Sequence, residues 1–106
     1  MVALTDKLKS KLNSLWQMVG NTPMIAITYR YLNGPEQTIL VKCEYQRSLT
    51  GSIKDRMALY ILQKAYESET IRPGDTIVEA TSGNTGIAFA AIGKALGHNV
   101  RIIMPD

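Results

Sequence analysis

The stretch from Thr76 to Met104 constrains the fold more than any other part of the chain. Thr76-Ile77-Val78-Glu79-Ala80 reads as a short strand, and Thr81 to Gly86 is a loop of small residues. Ile87 to Leu96 is apolar nearly all round, and Val100 to Met104 is a second extended run. Strand, helix and strand in that order imply a parallel pair joined by a right-handed crossover. Gly97 stands where a helix C′ glycine belongs, so the helix is expected to stop there. A helix without a polar face is expected to be buried. His98, the sole histidine, lies in the connection with no partner visible in sequence and is expected to face solvent.

The upstream part is organised by caps and breakers. Thr5 or Asp6 can cap an opening helix in which Leu4, Leu8, Leu12 and Leu15 or Trp16 share a face. Gly20-Asn21 stops that helix and Pro23 keeps it stopped. Lys7, Lys9 and Lys11 form its basic side; a presequence reading is weakened by Asp6 and by the lack of arginine, and a solvated face accounts for them better. Two extended runs follow, Met24 to Tyr31 and Thr38 to Cys43, around the turn signal Asn33-Gly34-Pro35. A helical period then runs from about Asp55 to Glu69, closed by the turn Arg72-Pro73-Gly74-Asp75. There is no internal repeat and no linker, so the 106 residues are read as one α/β unit. Within it, residues 1–50 supply a helix and a hairpin, and residues 51–106 an αβαβ part.

Composition excludes several classes. With 45% hydrophobic and 20% charged residues the chain is not a disordered tail. The net charge of +3 is scattered and not gathered into a stripe, so no nucleic-acid partner is expected. Cys43 stands alone, which precludes an intramolecular disulfide and fits a reducing compartment; it is expected to be a small buried residue on a strand and not a reactive thiol. No signal-peptide pattern opens the chain, and the apolar run from Gly86 to Gly97 is too short for a bilayer and carries Lys94. The expected location is cytoplasmic, with no membrane partner. No metal site is expected.

Two places break the local rules. Ser52 and Asp55 have the form of a capping box, which would start a helix at Ile53. Lys54 then falls in the first turn, where the helix dipole disfavours a cation. At about 100° per residue it also lies on the same face as Ala58, Ile61, Leu62 and Ala65. An ammonium at a positive helix end on an apolar face is expected to lose proton affinity, the condition for a nucleophilic or Schiff-base lysine. The bland alternative is a lysine that reaches past the helix end to water.

The second place is Thr81-Ser82-Gly83-Asn84-Thr85-Gly86. It lies between the carboxyl end of a strand and the start of a helix, where ligands bind in open α/β sheets. Free N–H groups at the helix start, with the hydroxyls of Ser82 and Thr85, suit a carboxylate or phosphate, and Gly83 and Gly86 are expected to let the ligand approach the backbone. The string is neither a P-loop nor a dinucleotide fingerprint. A turn merely rich in capping residues remains the plain alternative.

Together the two strings resemble those of fold type II enzymes that use pyridoxal 5′-phosphate (PLP). Thr50-Gly51-Ser52-Ile53-Lys54-Asp55-Arg56 is similar to the cofactor-lysine motif, and Thr81 to Gly86 to the substrate-carboxylate loop. Gly20-Asn21-Thr22-Pro23 and Pro73-Gly74-Asp75-Thr76-Ile77-Val78-Glu79 fit as well. The resemblance runs from about Leu15 to the end and is nearest to the cysteine synthase and cystathionine β-synthase group.

The resemblance implies the N-terminal part of that fold: an open, mostly parallel sheet with packed helices and an N-terminal β-hairpin, residues 51–106 belonging to its small domain. It implies that Lys54 carries PLP as a Schiff base and removes the substrate Cα proton. Asn84 would hydrogen-bond the cofactor's ring oxygen, and Thr81, Ser82, Gly83 and Thr85 would hold the substrate carboxylate. The implied reaction is a β-replacement on serine or an O-activated serine, with a sulfur donor, giving cysteine or a related thioether amino acid. A homodimer is also implied. Asp55 and Arg56 are read as structural charges at the helix start.

Two departures from the pattern stand out. Many members have Asn-Pro ahead of the motif, where this chain reads Gln46-Arg47-Ser48-Leu49. The glycine-rich loop for the PLP phosphate and the group facing the pyridine nitrogen come from a later half, so these 106 residues alone are expected to be inactive. The other reading left open is a non-catalytic α/β binding module derived from the same family.

Overall fold

A computed structural model describes residues 4–106. Helix α1 spans Asp6–Met18, followed by β1 Met24–Arg30, β2 Glu36–Lys42, α2 Lys54–Glu67, β3 Thr76–Ala80, α3 Asn84–Leu96 and β4 Asn99–Ile103. The N-cap of α1 is Thr5, whose Oγ1 accepts from the Leu8 N–H at 3.3 Å. Leu8, Leu12 and Leu15 form the buried face, with Leu4 and Trp16 packed at its edge. Left-handed Gly20 (φ 89°) and Asn21 (φ 47°) turn the chain away after α1.

β3 and β4 pair in parallel, Ile77 opposite Val100 and Glu79 opposite Ile102. Helix α3 lies on them, and α1 and α2 pack on α3 without touching the strands. The result is a layer of strands, a layer holding α3, and a layer holding α1 and α2. The core joins Leu8, Leu12 and Leu15 to Ala58, Leu59, Leu62 and Tyr66, and these to Phe89 and Ile92. Gly97 closes α3 with φ 96°, and its N–H donates to the Lys94 carbonyl at 3.0 Å.

Helix α3 approaches the strands closely at two glycines, two turns apart. A Cβ on Gly93 would stand 2.6 Å from Val100 Cγ2, and one on Gly86 would stand 2.7 Å from Thr81 Cγ2 and 3.1 Å from Ile102 Cγ2. Gly86 therefore serves helix–strand packing. Burial of α3 is one-sided. Ala88, Phe89, Ile92 and Leu96 are covered while Ile87 is exposed, because a two-stranded sheet and two helices cannot enclose the whole circumference.

The solvent-facing expectation for His98 is overturned: the residue is 1% exposed. Its Nδ1 lies 2.8 Å from the Asp75 carbonyl, and its Nε2 meets the Tyr66 hydroxyl. Both polar ring atoms are satisfied inside, which lets an imidazole be buried. Cys43 is buried, as expected, but it follows the end of β2 and does not lie on the strand.

β1 and β2 form an antiparallel hairpin with Ile27 opposite Ile39. Its turn puts the positive φ on Leu32 (52°), with the Gly34 N–H donating to the Tyr31 carbonyl at 3.0 Å. β2 begins two residues earlier than the sequence suggested, directly after Pro35. The hairpin touches no other element. This explains a radius of gyration of 17.9 Å, against about 13 Å for a compact chain of this length.

Candidate functional site

Helix α2 begins at Lys54, and Ile53 before it supplies no side-chain cap. The expected capping box does not form. Ser52 Oγ accepts from the Lys54 N–H at 3.2 Å, and Asp55 turns the other way. The Asp55 carboxylate is 1% exposed. Its Oδ2 accepts from the N–H groups of Leu49 (2.6 Å) and Thr50 (2.7 Å), and its Oδ1 from the Thr50 hydroxyl. The sequence reads Asp55 as a structural charge at the helix start and a capping-box acid. Its structural role holds, but its partners lie in the preceding loop and not at a cap. The overlooked signal was its position: an acid on the same helical stripe as Ala58, Leu59, Leu62 and Tyr66, the residues α2 buries.

That stripe also corrects the placement of Lys54. The buried face of α2 is centred on the side of Asp55, and Lys54 lies at its margin next to exposed Ile61 (45%). Lys54 is half-buried and lines an open groove with Trp16, Ile53, Arg56, Met57 and Tyr60. Among the described residues its ammonium has no hydrogen-bond or ion-pair partner. By contrast, Lys42 Nζ donates to the Thr22 carbonyl at 2.6 Å, and Lys64 Nζ pairs with Glu67 at 2.6 Å. The hydrogen bond to Glu67, with the charge of that carboxylate, raises the Lys64 pKa. Lys54 thus lacks the partner that Lys42 and Lys64 each have.

Arg56 anchors the same helix start on its other side. Its guanidinium donates to Glu44 Oε1 at 2.8 Å, and the same oxygen accepts from the Thr22 hydroxyl at 3.1 Å. Arg47 donates to the carbonyls of Gly20 (3.1 Å) and Gln17 (3.2 Å), and its own carbonyl accepts from the Gly20 N–H at 3.0 Å. The loop between β2 and α2 is thus tied to the end of α1 and to the Gly20–Pro23 segment. These ties join residues 12 to 30 positions apart, which no local pattern displays.

The second candidate element follows β3. The Thr81 N–H donates to the Ile103 carbonyl at 2.9 Å, prolonging the strand pair. The Thr81 hydroxyl accepts from the Gly83 N–H at 3.4 Å. Gly83 is the N-cap of α3 and has no side chain to satisfy the first turn, which carries no acidic residue. Ser82, Gly83 and Asn84 are exposed and Thr85 is half-buried. Among the described residues, the N–H groups of Ser82, Asn84 and Thr85 have no acceptor, so the positive end of α3 is open to an anion.

The two elements lie at one end of the molecule. α2 packs on α3, and the contact between Tyr66 and His98 sets their carboxyl ends side by side. Their amino ends, Lys54 and Asn84, therefore point the same way. Thr81 to Gly86 are not among the walls of the Lys54 groove. The groove offers the Lys54 amine beside Trp16 and Tyr60, chemistry that fits a planar aromatic aldehyde, and the loop after β3 separately offers anion donors. Among the described residues no His, Cys, Asp and Glu are grouped to hold a metal, and no helix is long and apolar enough to cross a membrane.

Most of the chain is similar to known proteins. Residues 15–106 match the family model described as pyridoxal-phosphate dependent enzyme. Cysteine synthase 1 of Emericella nidulans is 42% identical over 94 residues, covering 89% of this chain and 25% of its own length. Cystathionine beta-synthase of Oryctolagus cuniculus is 42% identical over 96 residues, covering 90% of this chain and 17% of its own. A crystal structure of a hydrogen sulfide-producing enzyme from Fusobacterium nucleatum superposes with a TM-score of 0.85 at 56% identity, over 92% of this chain and 29% of that one. The chain spans about a quarter or less of the two curated relatives.

Proposed function

The chain belongs to the pyridoxal-phosphate dependent enzymes, and on that premise we propose that Lys54 is the cofactor lysine of a β-replacement enzyme that makes cysteine or a related thioether amino acid. The observation that carries this reading is the unpartnered Lys54 amine, half-buried on the groove wall, at the same end of the molecule as the uncapped start of α3. The cofactor, when bound, supplies the electron sink for chemistry at the substrate Cα and Cβ. Lys54 Nζ holds it and moves the proton at Cα.

The remaining roles follow from the donors each residue offers. The Ser82 and Thr85 hydroxyls, with the free N–H groups of the loop, bind the amino-acid carboxylate as charge-assisted donors. The Asn84 amide donates to the ring oxygen of the cofactor. Thr81 and Gly83 shape the loop, joined by the bond from the Gly83 N–H to the Thr81 hydroxyl. The substrate is serine or an O-activated serine and the co-substrate a sulfur donor, in a cytoplasmic homodimer. The names of the relatives support this class of reaction.

The test is reduction of the full-length protein with borohydride in the presence of PLP, followed by mapping of the labelled peptide. Label on Lys54, abolished by Lys54→Ala, is the expected result. Label on Lys42, Lys64 or Lys94 would overturn the assignment.

A further inference from the structure

We infer that Asp55 is a positioning residue for Lys54, acting through the loop that precedes α2 and not through any ligand. The inference rests on the assignment of Lys54 above. The first turn of α2 has no side-chain cap at Ile53, and Ser52 Oγ satisfies the Lys54 N–H alone. What holds this turn is the grip of Asp55 on Leu49 and Thr50, three hydrogen bonds made by one carboxylate that is 1% exposed.

The loop so gripped is itself braced. The Gly51 N–H donates to Ser48 Oγ at 2.8 Å, and Arg47 is fastened to the end of α1 through the Gln17 carbonyl. Asp55 follows Lys54 directly, so the helix sends their side chains about 100° apart. With Asp55 fixed inward, the rotation of the first turn is set and the Lys54 side chain is directed along the groove wall. Arg56, bound to Glu44, prevents the turn from rolling the other way. An Asn at position 55 would keep one acceptor and set an amide donor against backbone N–H groups. The turn would then lose its register while the buried volume stays the same. A reacting amine displaced by about an ångström costs up to about a hundredfold in rate.

The test uses the full-length protein and the Asp55→Asn variant, with Thr50→Val as a milder second change that removes only the hydroxyl donor. Four quantities are read: amide exchange at Leu49 and Thr50 without cofactor, borohydride label at Lys54, thermal midpoint, and kcat against KM. The expected result is exchange at Leu49 and Thr50 faster by about tenfold or more, with label still on Lys54. The kcat should fall by about tenfold or more with KM little changed. Thr50→Val should move both in the same direction by less, and it decides the matter if Asp55→Asn does not fold. Unchanged exchange and kcat with label present would overturn the inference alone. So would losses of kcat that merely track the thermal midpoint. Absence of label at Lys54 in the unsubstituted protein would overturn the Lys54 assignment, and this inference with it.

Discussion

The Tyr66 hydroxyl donates to Nε2 of His98, joining the last turn of α2 to the residue that leads into β4. The tautomer is dictated by the other ring nitrogen. Asp75 offers only a carbonyl to Nδ1 at 2.8 Å, so Nδ1 carries the proton and Nε2 accepts. One buried imidazole thereby ties together α2, the turn before β3 and the turn before β4.

Tyr66→Phe removes the donor and leaves Nε2 buried without a partner. The expected loss of stability is about 1–3 kcal/mol, read from the midpoint of denaturant unfolding. A midpoint equal to that of the unsubstituted protein would show that the contact contributes nothing net.

The same residue gives a pH dependence. Burial, and secondarily the charge of Asp75, raise the Tyr66 pKa above the ordinary value of 10.0. The folded state thus holds this proton more tightly than the unfolded state. Its contribution is full below about pH 10 and is lost as pH rises from there through the raised folded value. The thermal midpoint should therefore fall above about pH 10 more steeply in the unsubstituted protein than in Tyr66→Phe. Parallel curves would contradict this.

Gly93→Ala places a methyl 2.6 Å from Val100 Cγ2 and 3.1 Å from Ile77 Cδ1, and forces α3 away from the strands. A loss of about 1–3 kcal/mol is expected, although alanine is the better helix former. Higher stability in the variant would mean that α3 rides further from β3 and β4 than described.

Ser82→Ala and Asn84→Ala test the loop after β3. In the full-length enzyme Ser82→Ala should weaken binding of the amino-acid substrate, and Asn84→Ala its binding to the cofactor-loaded site, by about 1–3 kcal/mol each, the cost of a lost hydrogen bond to a charged group. Spectroscopic titrations that coincide with those of the unsubstituted enzyme would remove the loop from the carboxylate site.

One face of the hairpin, carrying Ile25, Ile27 and Tyr29 from β1 and Ile39 and Val41 from β2, is apolar and touches no other element. Residues 1–106 in isolation should associate through this face. Replacing the facing pair Ile27 and Ile39 with Ser should shift sedimentation velocity toward the monomer. A monomer before substitution would contradict the prediction.

Local chemistry carried much of the architecture. Thr5 ahead of an amphipathic run is a cap wherever it occurs, and Gly97 after an apolar helix takes the left-handed conformation open to glycine at little cost. The order of strand, helix and strand led to the parallel pairing of β3 and β4, because a short crossover allows little else. Lys54 and the Thr81–Gly86 loop were legible as candidates because each breaks a rule that neighbouring residues obey.

What only the tertiary structure decided lies in contacts between distant positions. His98 looked exposed until Tyr66, 32 residues away, supplied a donor for its second nitrogen. Gly93 became a packing residue only once Val100 and Ile77 lay against it. The capping box at Ser52 lost to a competing arrangement in which Asp55 satisfies three donors in the preceding loop. A carboxylate that finds three donors in the interior is held better than one that caps a single N–H at the surface, and where those donors lie is settled by the folded path of the chain.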